Sequence, residues 1–488
     1  MSAVMPTVLV LATLAAGHQS VGEATPRVRS EGRILAEVSW HGGVDLSSGA
    51  QHAPGDGDAS RSEAQQHEPS ASLPLHTGLN ARYPIELFHC AKAAAETTKS
   101  LASAEYERIV ARIGTLMQPI PELCGAETCS AASFQGCVIR LAAHDFLDFQ
   151  DLGTLAIGGS DGCTDLYHPI NAGLAQCIQE GGLPEIYREF CETISLADFL
   201  VIAAEAVMHH ARSRLTRSEL LHSQPQQSDA FDFQRRFRYG RTTAKSCAVS
   251  KVLPRVSGAG KAMEDCFINR LGLTWAEAAA LMGGHVAGRA LHLGPKGWWS
   301  GPSHANAFDN YYFVAMLMHG WRSDSKVEGL WLRSDTANEE QVMLSTDLSL
   351  AYGIASNNTQ CCAWTEEEAV SQLMEKRGFQ YCSMPSNDTA AVSRDEQKAS
   401  CCDAGGFDNA STCEIIEEGQ AEAAVRSYAL FEESWLHTFS LTWTKVTNNG
   451  YPDLPLMMQS SASVHSSPVH AMLSLTLAGL LCIVPRKR

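Results

Sequence analysis

Residues 272–289 read GLTWAEAAALMGGHVAGR, and the reading of this stretch decides the fold. Thr274 followed three residues later by Glu277 is a capping box, in which a hydroxyl and a carboxylate satisfy the first backbone N–H groups of a helix. The apolar run behind it predicts a helix continuing to about Leu291. His285 lies within that run among Gly283, Gly284 and Gly288, and glycines let a backbone or a flat ligand approach closely. A histidine housed this way suits axial ligation of an iron porphyrin. The same pattern also describes a hydrogen-bonded histidine of an ordinary core.

Upstream, Ile139-Arg140-Leu141-Ala142-Ala143-His144-Asp145 reads as helix. Arg140 and His144 are four residues apart and share a face. A permanent cation and a group titrating near neutrality therefore look into one space. Such a pair can break a weak bond heterolytically, with His144 moving a proton between two atoms and Arg140 stabilising the developing negative charge. An exposed helical Arg–His pair, with Asp148 one turn further on, is the plainer alternative. Gly158-Gly159-Ser160-Asp161-Gly162-Cys163 is a tight turn whose oxygens, together with Asp145, could surround a calcium ion. It is not an EF-hand, because the twelfth position counted from Asp161 is Ala172.

Around these segments the chain is helical in texture from Tyr83 to about residue 455. Glu86–Leu116 and Cys137–Phe149 carry helix-spaced apolar residues, Ser195–Ala204 reads as a buried helix with a polar cap, and Ser427–Val446 as an amphipathic, aromatic-rich one. Strand-like alternation is scarce and no long repeat is visible. The predicted class is one mostly α-helical domain over 83–455. Its 37 Lys and Arg against 54 Asp and Glu give a net charge of −17, which excludes a nucleic-acid partner bound through phosphate neutralisation. No apolar run reaches the ~20 residues of a spanning helix, so a multi-pass membrane protein is excluded.

The ends carry different signals. Residues 1–17 resemble a secretory signal, with an apolar stretch from Pro6 closing on small residues, although no basic residue precedes it. Residues 18–82 are poor in aromatics and rich in Ser, Gly and His, and predict a disordered spacer. A Ser-rich linker and a short apolar tail occupy 456–488, where Ala471–Val484 suggests membrane attachment although it is short for a span. Asn357, Asn387 and Asn409 head glycosylation sequons, interleaved with Cys361, Cys362, Cys382, Cys401, Cys402 and Cys413. Residues 356–418 therefore predict a Cys-rich, disulfide-stapled, glycosylated insertion, and the compartment is secretory or extracellular.

Taken in order, these segments resemble the plant, fungal and bacterial haem peroxidase superfamily. Arg140-Leu141-Ala142-Ala143-His144 is similar to its distal Arg-Leu-x-(Phe/Trp)-His. Ser195–Asp198 is similar to its Ser-Leu-Ala-Asp helix, and Gly272–Arg289 to its proximal helix. Phe308-Asp309-Asn310-Tyr311-Tyr312-Phe313, Leu344–Asp347 and Ser427–Gly450 follow in the family's order. The resemblance implies haem b between two helical lobes, with His285 as the iron ligand, Asp347 accepting its other ring proton, and Arg140, His144 and Asn171 cleaving hydrogen peroxide. It places Trp299 at the position of a radical-bearing tryptophan in the ascorbate and cytochrome c branch. It places Asp145, Gly159 and Asp161 at the calcium ligands of the secreted branches. A monomer oxidising a small one-electron donor is expected. A low-activity haem-binding surface glycoprotein, acting as an interaction module, is the alternative. Two departures stand out: Ala143 replaces the family's aromatic residue, and Cys163 stands where a Ser-type calcium ligand is expected.

Overall fold

The computed structural model describes residues 81–117, 130–219, 231–247, 253–289, 297–301, 304–333, 341–354, 358, 360–363, 399–402, 413–416 and 418–458. The chain divides into units of residues 1–73 and 74–488. The signal segment, the spacer up to residue 80 and the tail from residue 459 lie outside the described residues. Among the described residues no helix is long and apolar enough to cross a membrane. The helical domain runs slightly past its expected end: Leu456 bridges to Arg238 and Met458 to Ala102.

Helices dominate, as the apolar periodicity predicts, but several boundaries differ. The expected Glu86–Leu116 helix is a short turn at Pro84–Leu87 and a separate helix at Ser103–Leu116. The connection spends its backbone on distant partners instead: Ala95 N–H donates to Cys191 O at 2.8 Å, Thr243 N–H to Glu96 O at 2.8 Å, and Cys90 is bonded to Cys191. Ser130–Phe146 and Leu196–Glu219 form two long helices that pack together. Ser195 caps the second, its hydroxyl accepting Asp198 N–H at 3.2 Å.

The predicted aromatic helix at Ser427–Val446 is two helices, Glu422–Leu430 and Glu432–Thr447, broken at Phe431. Asn310 explains the break, because its side-chain amide donates to Tyr428 O and Ala429 O at 2.9 Å each. Those carbonyls would otherwise need the next helical turn. The second of these helices lines the core with Trp435, Phe439 and Trp443, all essentially buried. Trp435 donates its indole N–H to Ala280 O at 3.0 Å, tying this helix to Trp275–Met282.

Charge is also buried where helices meet. Asp198 and Arg241 pair at 2.7 Å with almost no exposure. The guanidinium also reaches Thr447 O at 2.8 Å and Asn448 Oδ1 at 2.7 Å. One cation thus joins the Leu196–Glu219 helix, the 231–247 loop and the C-terminal helix.

Strands form a larger element than the sequence suggests. An antiparallel six-stranded sheet runs in the order Val342–Leu344, Leu330–Arg333, Trp321–Ser323, Gln360–Ala363, Ala399–Cys402 and Cys413–Ile416. The last three strands belong to the Cys-rich insertion, which therefore extends an existing sheet edge. Its base is closed by a bridge between Tyr352 and Glu418. The cysteine side chains of the insertion lie outside the described residues, so its expected disulfides do too. Three disulfides are described in the helical domain, Cys90–Cys191, Cys137–Cys177 and Cys163–Cys247.

Gly136, on the Ser130–Phe146 helix, meets Gly288 without an intervening side chain. A Cβ on Gly288 would lie 2.6 Å from Gly136 Cα, and one on Gly136 would lie 2.8 Å from Gly288 Cα. This contact brings the helix carrying His144 against the segment carrying His285.

Candidate active site

Arg140 and His144 lie on the last turns of the Ser130–Phe146 helix, as their spacing requires. Opposite them the chain makes a single 3-10 turn at Pro169–Asn171, begun by a proline whose fixed φ suits a first helical position. The turn supplies three contacts. Arg140 donates to Ala172 O at 3.2 Å and to Ile170 O, and His144 Nδ1 lies 2.5 Å from Asn171 Oδ1. Asn171 is itself held, its amide donating to Asp165 O at 2.8 Å. With the amide nitrogen committed to a carbonyl, its oxygen must accept, so the proton of His144 sits on Nδ1 and Nε2 carries the lone pair. Asn171 is 2% exposed, so little water competes for this bond.

Burial pulls the Arg140 guanidinium down to about 10, still charged at neutral pH. Among the described residues it has no carboxylate partner. Backbone carbonyls hold it in place without neutralising it, leaving its charge available to an anionic oxygen. Ala143, where the family pattern has an aromatic ring, is partly buried and packs against the core.

His285 stands on a 3-10 segment, Gly283–Val286, that continues the α-helix Trp275–Met282. The predicted capping box is present, with Thr274 and Glu277 each satisfying the other's backbone. The helix ends earlier than the expected Leu291. Gly283 leaves room for the indole of Trp435 and the ring of Phe313, which a Cβ would meet at 2.5 and 2.8 Å. Gly288 then turns the chain with φ +85°, a region that disfavours side chains.

The Nδ1 of His285 lies 2.9 Å from Asp347 Oδ1. Asp347 is fully buried, and its other oxygen accepts Leu344 N–H at 2.7 Å. Trp299 stacks on the imidazole with ring centroids 4.4 Å apart and planes 4° from parallel. The structure therefore brings together Arg140, His144 and Asn171 in one group, and His285, Asp347 and Trp299 in another. One contact was not assigned from the sequence: Tyr312 donates its hydroxyl to Asp347 Oδ1 at 2.8 Å. The Phe308–Phe313 motif was its signal, since Tyr312 occupies a fixed place in it, but spacing alone does not reveal a carboxylate from a different segment.

Two of the expected calcium ligands, Gly159 and Asp161, share one loop, and the third, Asp145, faces it from the Ser130–Phe146 helix. Both oxygens of Asp145 accept backbone N–H groups, from Gly162 at 2.9 Å and Cys163 at 2.8 Å. Gly159 donates to Asp148 Oδ1 at 2.7 Å, and its carbonyl accepts Asp161 N–H at 2.7 Å. Cys163 is bonded to Cys247. Burial, then the nearby Asp161 and Asp148 charges, hold the Asp145 carboxyl well above the usual range, and burial followed by Asp148 pushes Asp161 up to about 7. Among the described residues no three His, Cys, Asp or Glu side chains already converge as a metal site. Ser160 Oγ, Thr164 Oγ1 and Asp161 Oδ1 are nevertheless buried there without a hydrogen-bond partner.

No curated protein matches the chain. Residues 125–367, which carry both histidines and every side chain grouped around them, match the family model described as peroxidase. The chain belongs to the peroxidase family, and its general activity is that of an oxidoreductase acting on peroxide.

Proposed function

We propose that this chain is an exported haem peroxidase that cleaves hydrogen peroxide heterolytically and oxidises a small one-electron donor as a monomer. The observation that carries the reading is the difference between the partners of two imidazoles. His144 Nδ1 meets a neutral amide, and His285 Nδ1 meets a buried carboxylate. An amide fixes a tautomer and leaves the other nitrogen's lone pair available to a proton. A carboxylate makes the imidazole a stronger electron donor, which suits a ligand to oxidised iron. His285 also keeps a third of its side chain exposed, which accords with a group held on the side away from Asp347. The uncompensated charge of Arg140 fits an anionic oxygen.

His285 would ligate the haem iron, and the haem when bound supplies a Lewis-acidic metal and the capacity to store oxidising equivalents. The remaining steps belong to the chain. His144 Nε2 accepts the proton of one peroxide oxygen and returns it to the other, which departs as water. Arg140 stabilises the charge on the leaving oxygen, and Asn171 keeps His144 in the required tautomer. Trp299, flat against His285, is the side chain placed to exchange an electron with that site.

Three disulfides among the described residues accord with an oxidising compartment. The same reading carries a calcium ion to the space between Asp145 and the loop of Gly159 and Asp161. In its favour are the unpartnered oxygens of Ser160, Thr164 and Asp161 and the crowding of carboxylates that a cation would relieve. Calcium should then raise the melting temperature and chelator lower it; an unchanged melt removes the ion from the account.

Hemin titration followed by stopped-flow mixing with hydrogen peroxide tests the central reading. A one-to-one Soret-absorbing complex that changes spectrum with peroxide, and that His144→Leu slows by ~10²–10⁴-fold, is expected. A chain that stays colourless overturns the reading. A coloured complex inert to peroxide would leave the low-activity haem-binding glycoprotein in its place.

A further inference from the structure

Asp347 Oδ1 accepts two hydrogen bonds, from His285 Nδ1 at 2.9 Å and from the Tyr312 hydroxyl at 2.8 Å. Resting on the haem-ligand reading of His285, we propose that Tyr312 is a positioning residue that sets the electron-donating strength of His285 by competing with it for one carboxylate oxygen. Tyr312 and Asp347 are both fully buried. In such surroundings a hydrogen bond to an ionised group is strong, and each bond to one oxygen weakens the other. Burial and the Asp347 charge raise the phenol well above its usual range, so Tyr312 remains a neutral donor.

The hydroxyl is not needed to place the groups it touches. Leu344 N–H anchors the second oxygen of Asp347 at 2.7 Å, and Trp299 holds the plane of His285. The Tyr312 ring packs edge-on against Phe313, with centroids 5.0 Å apart, a contact that phenylalanine would keep. What remains for the hydroxyl is its effect on the charge density of Oδ1. Without it, Asp347 draws the Nδ1 proton of His285 more strongly, the imidazole becomes more imidazolate-like, and ferric iron gains over ferrous.

The experiment compares Tyr312→Phe with the parent, as hemin-reconstituted full chain, in a spectroelectrochemical titration. The ferric form should be favoured about tenfold, a midpoint about 59 mV lower for one electron, with haem retained. The same substitution in an Asp347→Asn background should add no further shift, because the pair is then uncoupled. An unchanged or higher midpoint overturns the proposal, as does an equal shift in the Asp347→Asn background. A haem-free readout keeps it separate from the ligand reading: in the apoprotein the NMR resonance of the His285 Nδ1 proton should move downfield in Tyr312→Phe. A resonance that stays in place refutes the competition for Oδ1 whether or not hemin binds.

Discussion

Asn171 offers the sharpest test of how the Arg140–His144 group works, because its side-chain oxygen meets His144 while Arg140 is held by the flanking backbone carbonyls. Asn171→Ala removes the oxygen 2.5 Å from His144 Nδ1 and the amide bond to Asp165 O that aims it. A neutral hydrogen bond contributes about 1 kcal/mol net, and leaving a buried donor unsatisfied costs up to about 3 kcal/mol. At about 1.4 kcal/mol per tenfold, peroxide cleavage should slow by about 5- to 150-fold. That places Asn171→Ala between the parent and His144→Leu, which loses the base altogether. The assay is the second-order rate of hemin-loaded protein with hydrogen peroxide near neutral pH, with haem content and melting temperature as controls. A rate within twofold of the parent, with haem retained, would refute the claim that the amide orients His144. A rate as slow as His144→Leu would show that Asn171 does more than fix a tautomer.

Further outcomes follow from the same geometry. His285→Ala should abolish retention of hemin through gel filtration, while Trp299→Phe should keep it; retention by the alanine variant would move the ligand elsewhere. Asp198→Ala strands the buried Arg241 guanidinium and should cost about 3–5 kcal/mol in denaturant unfolding, whereas a loss under 1 kcal/mol would mean that the carbonyls alone sustain it. Burial pushes the Glu205 carboxyl, which accepts from Tyr106 and Trp443, up to about 7. The folded state therefore holds its proton where the unfolded chain has lost it, and stability should fall as pH rises from about 4.5 to 7, by about 3 kcal/mol in all. Glu205→Gln should flatten that slope, and a slope identical to the parent's would assign it to other groups.

Much of the site was legible because its chemistry is written in short-range spacing. Arg140 and His144 needed only helical periodicity to share a face, and Thr274 with Glu277 announced where the proximal helix begins. Boundaries set by partners far along the chain were not legible. The break at Phe431 depends on Asn310 reaching across to two carbonyls, and the end of the proximal helix depends on how closely Trp435 approaches Gly283. The sheet escaped for a related reason: its strands are three or four residues long, too short for alternation to register, and half come from the polar insertion. Cys163 illustrates a further limit. Its position suggested a displaced calcium ligand, but only the fold reveals Cys247 beside it. Tyr312 was visible as a motif letter and silent as to its role, since Asp347 lies 35 positions away.

The bare contact between Gly136 and Gly288 makes the clearance between the two histidine-bearing segments a matter of main-chain thickness. A methyl group on either residue would have to be accommodated by spreading the walls about 1 Å, since carbon atoms rest about 3.5–4.0 Å apart. Gly288 resists replacement twice over, because its φ of +85° would also strain any side chain. The spacing of the two segments at this point is thus set by the main chain itself, and no side chain can be substituted to adjust it.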